Sequence, residues 1–256
     1  MKDFYNTLAP FYDALGEHPD YAAWADFYEE CFRRFGEIPT ESVLDLGCGT
    51  GNMALELCQR GYDMIGVDNA ADMLAVARER AEAEGLSDKL LLLCQDMCEF
   101  ELYGTVDAVV STLDCLNHIT DRKRLSRLLH WVHNYLNPNG LFLFDLNTPY
   151  KFEQIYGDRA YLLEEEGVVC AWQNLYHEKS GLCDFYISLF VEDEDGRYTR
   201  EDIHRRERLY TLRAMRRLLR ENGFELLLVA GDFDFSAPTP ATQRYYLAAR
   251  AVKEDL

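Results

Sequence analysis

The run Val43-Leu44-Asp45-Leu46-Gly47-Cys48-Gly49-Thr50-Gly51 places three glycines where an apolar strand must turn into a helix, and few folds can use such a turn. Glycine at 47, 49 and 51 permits positive φ and lets a ligand come within van der Waals distance of the main chain. The helix that follows, predicted over Asn52 to Arg60, aims its free N–H groups and positive dipole end at something anionic. The spacing is G-x-G-x-G, with Asn52 standing where a dinucleotide fingerprint would have its third glycine. No Lys-Ser or Lys-Thr pair follows, so a nucleoside triphosphate loop is not supported either.

A second element, Tyr62-Asp63-Met64-Ile65-Gly66-Val67-Asp68, reads as a buried strand ending in an acid. The two carboxylate oxygens of Asp68 match the two donors of a vicinal diol and would repel a phosphate there. Together these elements point to an adenosine-type ligand.

With Asp45-x-Gly47-x-Gly49-x-Gly51, Asp68 and Gln95-Asp96-Met97 in this order, the chain resembles the class I S-adenosylmethionine-dependent methyltransferases of small-molecule type. The likeness runs from Tyr5-x(6)-Tyr12-Asp13 to a closing strand at Arg244 to Arg250. It implies that the Gly47 to Gly51 turn, with Asp45 and Cys48, faces the methionine part of S-adenosylmethionine. It implies further that Asp68 holds the ribose beside Asn69 and Met73, and that Asp96 and Met97 border the adenine. Methionine brings a carboxylate for the helix N-terminus, and the adenine amino group brings a donor for Asp96.

Strands are predicted at Ser42 to Leu46, Tyr62 to Val67, Lys89 to Cys94, Thr105 to Ser111 and Gly140 to Asn147. They alternate with helices at Asn52 to Arg60, Ala70 to Glu84 and Asp121 to Leu136, the last stopped by Asn137-Pro138-Asn139-Gly140. This is the pattern of an α/β fold, a doubly wound, mostly parallel seven-stranded sheet that binds ligands at the carboxyl ends of its strands. Two amphipathic helices precede it, with apolar positions at Tyr5, Leu8, Tyr12 and Leu15 and then at Tyr21, Trp24, Tyr28 and Phe32.

After Asn147 the alternation stops, and Tyr161 to Tyr210 reads as long antiparallel strands with hairpin turns at Lys179-Ser180-Gly181 and Asp195-Gly196. Cys183, Phe185, Ile187, Leu189 and Val191 share one face at period two, so one side of this ribbon must be covered. It either roofs the substrate pocket or pairs with a second subunit as a homodimer. A helix at Thr211 to Glu221 and strands at Phe224 to Ala230 and Arg244 to Ala251 complete the core. The expected organisation is one domain over 1–256, with a cap at 1–36, a core at 37–149 and 211–256, and an insertion at 150–210.

The formal charge of −19 argues against a nucleic-acid partner. Arg200, Arg205, Arg206, Arg208, Arg213, Arg216, Arg217 and Arg220 are interleaved with Glu201, Asp202, Glu207 and Glu221, which reads as a salt-bridged solvated face. No apolar run reaches membrane-spanning length and the N-terminus lacks a signal-peptide core, so a cytoplasmic location without a membrane partner is expected. The eight cysteines should be reduced thiols, since Cys48, Cys58, Cys94 and Cys115 fall on or beside the sheet. There is no C-x-x-C pair, and His130 with His133 offers only two ligands, so no zinc site is expected.

The fourth strand ends in Ser111-Thr112-Leu113-Asp114-Cys115-Leu116-Asn117-His118, beside the glycine turn in this topology. The family likeness makes Leu113, Asp114 and Asn117 candidates for cofactor or substrate contact, while Asp114 equally suits a turn cap. His118 is a candidate general base, its ordinary pKa of about 6.5 suiting proton removal from an amine or hydroxyl. Tyr5, Tyr12 and Trp24 are either plain core or a lid shielding the sulfonium with their ring faces, a role the likeness favours for N-terminal tyrosines. Tyr12 is in addition a candidate to orient the acceptor. The expected activity is methyl transfer to an amine, hydroxyl or carboxylate of a small molecule. The alternatives are an NAD(P)-dependent oxidoreductase and a non-catalytic S-adenosylmethionine-binding protein.

Overall fold

Val43, Leu44, Leu46, Val109 and Val110 are all fully buried, as strands covered on both faces must be. Alternation sends their side chains into two separate cores, because successive residues of a strand point to opposite faces. The computed structural model describes residues 19–165, 167–193 and 195–253, and the first predicted helix, with Tyr5 and Tyr12, lies outside them.

The elements in chain order are α1 (Tyr21–Phe35), β1 (Ser42–Leu46), α2 (Asn52–Gln59), β2 (Asp63–Asp68), α3 (Ala71–Ala83), β3 (Leu90–Cys94) and β4 (Val106–Ser111). There follow α4 (Arg122–Tyr135), β5 (Leu136–Asn147), the ribbon strands β6 (Ala160–Glu165), β7 (Val168–His177), β8 (Leu182–Glu192) and β9 (Tyr198–Arg208), then α5 (Leu212–Glu221), β10 (Phe224–Ala230) and β11 (Arg244–Ala251). Seven strands form one sheet in the order β10-β11-β5-β4-β1-β2-β3. β11 runs antiparallel to both its neighbours, and the other pairings are parallel. The chain leaves β1 toward β2 and returns to the other side of β1 as β4. The carboxyl ends of β1 and β4 therefore flank the crevice where ligands bind in such sheets.

On one face of the sheet, α4 and α5 supply Leu125, Leu128, Val132, Met215 and Leu219 to a core with Leu44, Leu46 and Phe142. On the other, α1 and α2 pack Phe27, Tyr28, Met53 and Leu57 against Val43, Met64 and Leu143. Each fully buried Leu or Phe contributes about 1.5–3 kcal/mol. Of the expected N-terminal cap, the described part is thus a helix of this inner layer. Asp20 caps α1 by accepting from Ala23 N at 2.9 Å.

The helix-to-strand junction before β5 differs from the sequence expectation. Pairing between β4 and β5 shifts register from Val106↔Leu136 to Ala108↔Leu141, with Asn139 at φ +64°. The Asn137-Pro138-Asn139 stretch is a bulge within the strand, pinned where Asn137 Nδ2 donates to Asp107 Oδ1 at 2.7 Å.

The insertion forms its own four-stranded antiparallel sheet, β6-β7-β8-β9. Cys183, Phe185, Ile187 and Leu189 are buried on its inner face, which confirms the period-two reading. The outer face carries Leu162, Leu175 and Tyr186, all exposed. Among the described residues no helix is long and apolar enough to cross a membrane.

Candidate active site

A cavity of about 590 Å³ opens at the carboxyl ends of β1, β2, β3 and β4 and runs beneath the inner face of the four-stranded sheet. The three glycines all have positive φ, +78° at Gly47, +54° at Gly49 and +83° at Gly51, but for different reasons. A Cβ at Gly47 would lie 2.7 Å from Cys115 Sγ, and one at Gly51 would lie 2.9 Å from Ala77 Cβ on α3. At Gly49 a Cβ would meet nothing within 4 Å. Gly47 and Gly51 are therefore packing glycines, while Gly49 is the point where the backbone is bare to the cavity. Gly51 itself caps α2 and is not part of the cavity wall.

Asp68 ends β2 at the cavity, where Oδ2 accepts from Gly49 N at 2.9 Å and Oδ1 accepts from Ala70 N at 2.8 Å. Two backbone amides thus aim the carboxylate. Asn69 and Met73 line the same end, as do Cys48 and Met97. Asp96 also lines it, with Oδ1 accepting from Cys98 N at 2.8 Å and Oδ2 ion-paired to Arg124.

Asp45 sits under the turn, 1% exposed, and neither of its carboxylate oxygens finds a hydrogen-bond donor of ordinary geometry among the described residues. Burial first, and then the charge of Asp68, push its pKa up to about 7, with only the Ala54 amide opposing. A buried carboxylate without a partner is costly. A ligand cation at the cavity wall would relieve it, and the ammonium group of S-adenosylmethionine is such a cation. The residues present therefore fit that cofactor. Its carboxylate suits the α2 N-terminus, its ammonium suits Asp45, and its ribose suits Asp68.

After β4 the backbone takes positive φ at two consecutive residues, Leu113 at +64° and Asp114 at +50°. Strain of this kind costs on the order of 1–3 kcal/mol per residue and persists only where the surroundings hold it. Here Asp114 N donates to Asp145 Oδ2 at 2.8 Å, and Arg244 Nη1 donates to Asp114 Oδ1 at 2.9 Å and also to Asp145. Burial alone would raise Asp114, but Arg244, Lys151 and His118 outweigh it and hold its pKa below the ordinary value. Asp145, the more deeply buried partner, is raised.

Leu113 and His118 reach the cavity, as expected. The His118 imidazole lies 3.9 Å from Asp114 Oδ2 and 3.9 Å from Glu207 Oε1, and burial, with help from Arg205, lowers its pKa despite Asp114. Burial thus favours the neutral ring. Asp114, His118 and Glu207 bring three ligand-type atoms within 4.8 Å of one another, but Arg244 already takes one Asp114 oxygen.

Besides Gly51, two expected site residues stand away from the cavity wall. Asn117 is fully buried as a brace, its Nδ2 donating to Arg208 O at 2.8 Å and its Oδ1 accepting from Asn147 N at 3.0 Å. Both ends of its amide are used, so it ties β4, β5 and β9 together instead of facing the cavity. Trp24 lies on the buried face of α1, its ring packed 5.5 Å from Phe233 and 5.7 Å from Tyr246, and it is core and not lid. Its neighbour one turn earlier, Tyr21, is the α1 residue that lines the cavity.

The sequence reading allowed the ribbon to roof the pocket but named none of its residues as cavity residues. Trp172, Phe185, Arg205 and Glu207 line the cavity from the sheet, and Lys151 and Tyr156 from the π-helical turn before it. The arginine-rich stretch is otherwise the expected salt-bridged surface, with Arg200 on Asp202, Arg206 on Asp184 and Arg217 on Glu221. Alternation along β9 carried the available signal, since Arg205 and Glu207 share the parity of Ile203.

Comparison with known proteins agrees with this geometry. The Methyltransferase domain family matches residues 43–140. A Geobacillus sp. (strain WCH70) protein that bears a methyltransferase name is 29% identical over 96% of this chain and 99% of its own length. The crystal structure of an S-adenosylmethionine-dependent methyltransferase from Clostridium acetobutylicum ATCC 824 superposes with a TM-score of 0.86 at 29% identity, covering 98% of this chain and all of that one. The SAM-bound amino pentose methyltransferase from Micromonospora echinaspora shares the fold, with a TM-score of 0.69 at 20% identity over 91% of this chain and 92% of its own. With its sheet order, its glycine turn and these whole-length relatives, the chain belongs to the class I S-adenosylmethionine-dependent methyltransferases.

Proposed function

We propose that this methyltransferase acts on a small-molecule nucleophile held between the glycine turn and the inner face of the four-stranded sheet. The observation that carries this reading is the cavity of about 590 Å³, lined by Gly49 and Asp68 from the seven-stranded sheet and by Trp172 and Glu207 from the four-stranded one. That volume falls within the 300–1,000 Å³ typical of small-molecule clefts and is too small for a folded macromolecule. The net charge of −19 further disfavours a polyanionic acceptor.

The bound cofactor supplies an electrophilic methyl carbon on a sulfonium. The chain's own residues then have to align the nucleophile in line with it and exclude water. Asp45, Asp68 and the Gly47 to Gly51 turn hold the donor, with Asn69, Met73, Asp96 and Met97 around its adenosyl part. Trp172 and Phe185 cover the cavity from above and keep it dry. The neutral His118 Nε2 is a proton acceptor for the nucleophile. Tyr5 and Tyr12 shield the cofactor, a role that rests on the sequence likeness alone, and Tyr12 is in addition assigned to orient the acceptor through its hydroxyl.

Incubation with methyl-labelled S-adenosylmethionine and a pooled metabolite extract should place label in low-mass products. Label confined to protein or nucleic acid fractions would refute the small-molecule reading.

A further inference from the structure

Trp172 on β7 lines the cavity, yet its indole N–H is buried without a hydrogen-bond partner among the described residues. A buried donor left unmatched is costly unless an acceptor arrives from outside the chain. Around it the inner face of the four-stranded sheet is apolar, with Phe185 2% and Ile187 8% exposed, and the Phe185 ring stands 5.8 Å from the Trp172 ring. Trp172 pairs in register with Ile187 on β8, and Phe185 pairs with Arg205 on β9, so Arg205 flanks the same apolar strip from the far side. Arg205 lines the cavity too, and its charge reaches the His118 ring. Lys151, 5% exposed, adds a second cation to the lining from the π-helical turn, its ammonium 5.4 Å from the centre of the Tyr156 ring.

Resting on the methyltransferase reading above, we propose that this strip is a carboxylate subsite: the acceptor molecule carries one carboxylate, docks its oxygens on the Arg205 guanidinium and the Trp172 N–H, and lays an apolar body against Phe185 and Ile187. A guanidinium presents its donors in a fixed planar fork that matches the two oxygens of a carboxylate. Glu207, the next inward-facing residue of β9, supports an anion there instead of repelling it. Burial, and then the charge of Asp114, hold its carboxyl well above the usual carboxylate range, which favours the protonated form that donates a hydrogen bond. Asp114 is itself matched by Arg244. The net charge of −19 limits the handle to a single negative charge, since a dianion such as a phosphate monoester meets twice the long-range repulsion.

Phenylacetate and phenylacetamide are matched probes for this subsite, alike in shape and different in charge. Each is titrated calorimetrically into the full-length protein saturated with S-adenosylhomocysteine, for wild type, Arg205→Met, Arg205→Lys and Trp172→Phe. A wild type that does not bind S-adenosylhomocysteine would sink the cofactor reading, whereas the subsite is judged on protein that holds it. The expected result is phenylacetate bound about 10-fold more tightly than phenylacetamide by wild type, a preference lost in Arg205→Met and partly restored in Arg205→Lys. Trp172→Phe keeps an aromatic ring and removes the N–H, and should weaken phenylacetate binding about fivefold. Equal wild-type affinity for the two probes, no binding of phenylacetate, or an undiminished preference for it in Arg205→Met would overturn the assignment. Should Arg205→Met not fold, Arg205→Lys and the wild-type preference between the probes decide the matter.

Discussion

The Gly49 amide donates to the Asp68 carboxylate across 2.9 Å, so the turn after β1 and the acid closing β2 are one structural unit. An acid placed by backbone amides keeps its aim when side chains around it move. In the proposed binding mode the groups facing the cofactor's ribose and methionine ends have relative positions set by main chain.

Gly49 and Gly51 should separate binding from folding. Gly49→Ala carries only the cost of a positive φ, about 1–2 kcal/mol, since a Cβ there meets nothing within 4 Å. It should lower S-adenosylmethionine affinity more than it lowers stability. Gly51→Ala adds a 2.9 Å approach to Ala77 Cβ and should cost roughly 2–5 kcal/mol of folding free energy. Denaturant melts paired with cofactor titrations would show the two profiles, and an identical pattern in both variants would contradict the division of roles.

Asp45 predicts a pH dependence of two signs. Its pKa is raised to about 7 in the folded protein without ligand, so the protonated form is favoured there. An ammonium partner needs the ionised form. Cofactor affinity should fall as pH drops below about 7 and level off above it. Stability of the ligand-free protein runs the other way, with the Asp45 contribution present below the unfolded carboxylate value of about 3.9 and lost as pH rises through 7. Asp45→Asn should therefore raise Tm at pH 8, by roughly 2–4 °C per kcal/mol relieved, and flatten the affinity profile. An unchanged Tm with an unchanged affinity slope would dismiss this role.

The sequence made the core legible because strand-turn-helix punctuation is local. Ser42–Leu46, Phe224–Ala230 and Arg244–Ala251 have the bounds that their apolar runs predict, and Asp68 ends its strand one residue past the expected limit. What stayed hidden depends on contacts remote in sequence. The strained Leu113 and Asp114 are held by Asp145 and Arg244, and Glu207 becomes a cavity residue only when β9 lies over His118. Trp24 has the helical spacing of a lid or of core, and only the partners Phe233 and Tyr246 distinguish the two. The bulge at 137–139 looked like a plain helix stop because the same residues serve both.

Arg244 is the hinge of a buried charge network, bonded to Asp114 and Asp145 with its side chain 10% exposed. Arg244→Met would strip two interior carboxylates of their shared guanidinium partner and should destabilise the fold by about 3–5 kcal/mol. The double variant with Asp145→Asn should recover part of that loss. Urea unfolding of the set would measure the coupling, and simple additivity of the two changes would argue against the network.

The most direct test of the account is calorimetric titration of S-adenosylmethionine into wild type and Asp68→Ala. The account predicts a single site in wild type and a loss of about 3 kcal/mol in the variant, on the order of a hundredfold in affinity. Equal affinity in the two proteins, or no binding of S-adenosylmethionine by a wild type that takes up a nicotinamide dinucleotide, would contradict it.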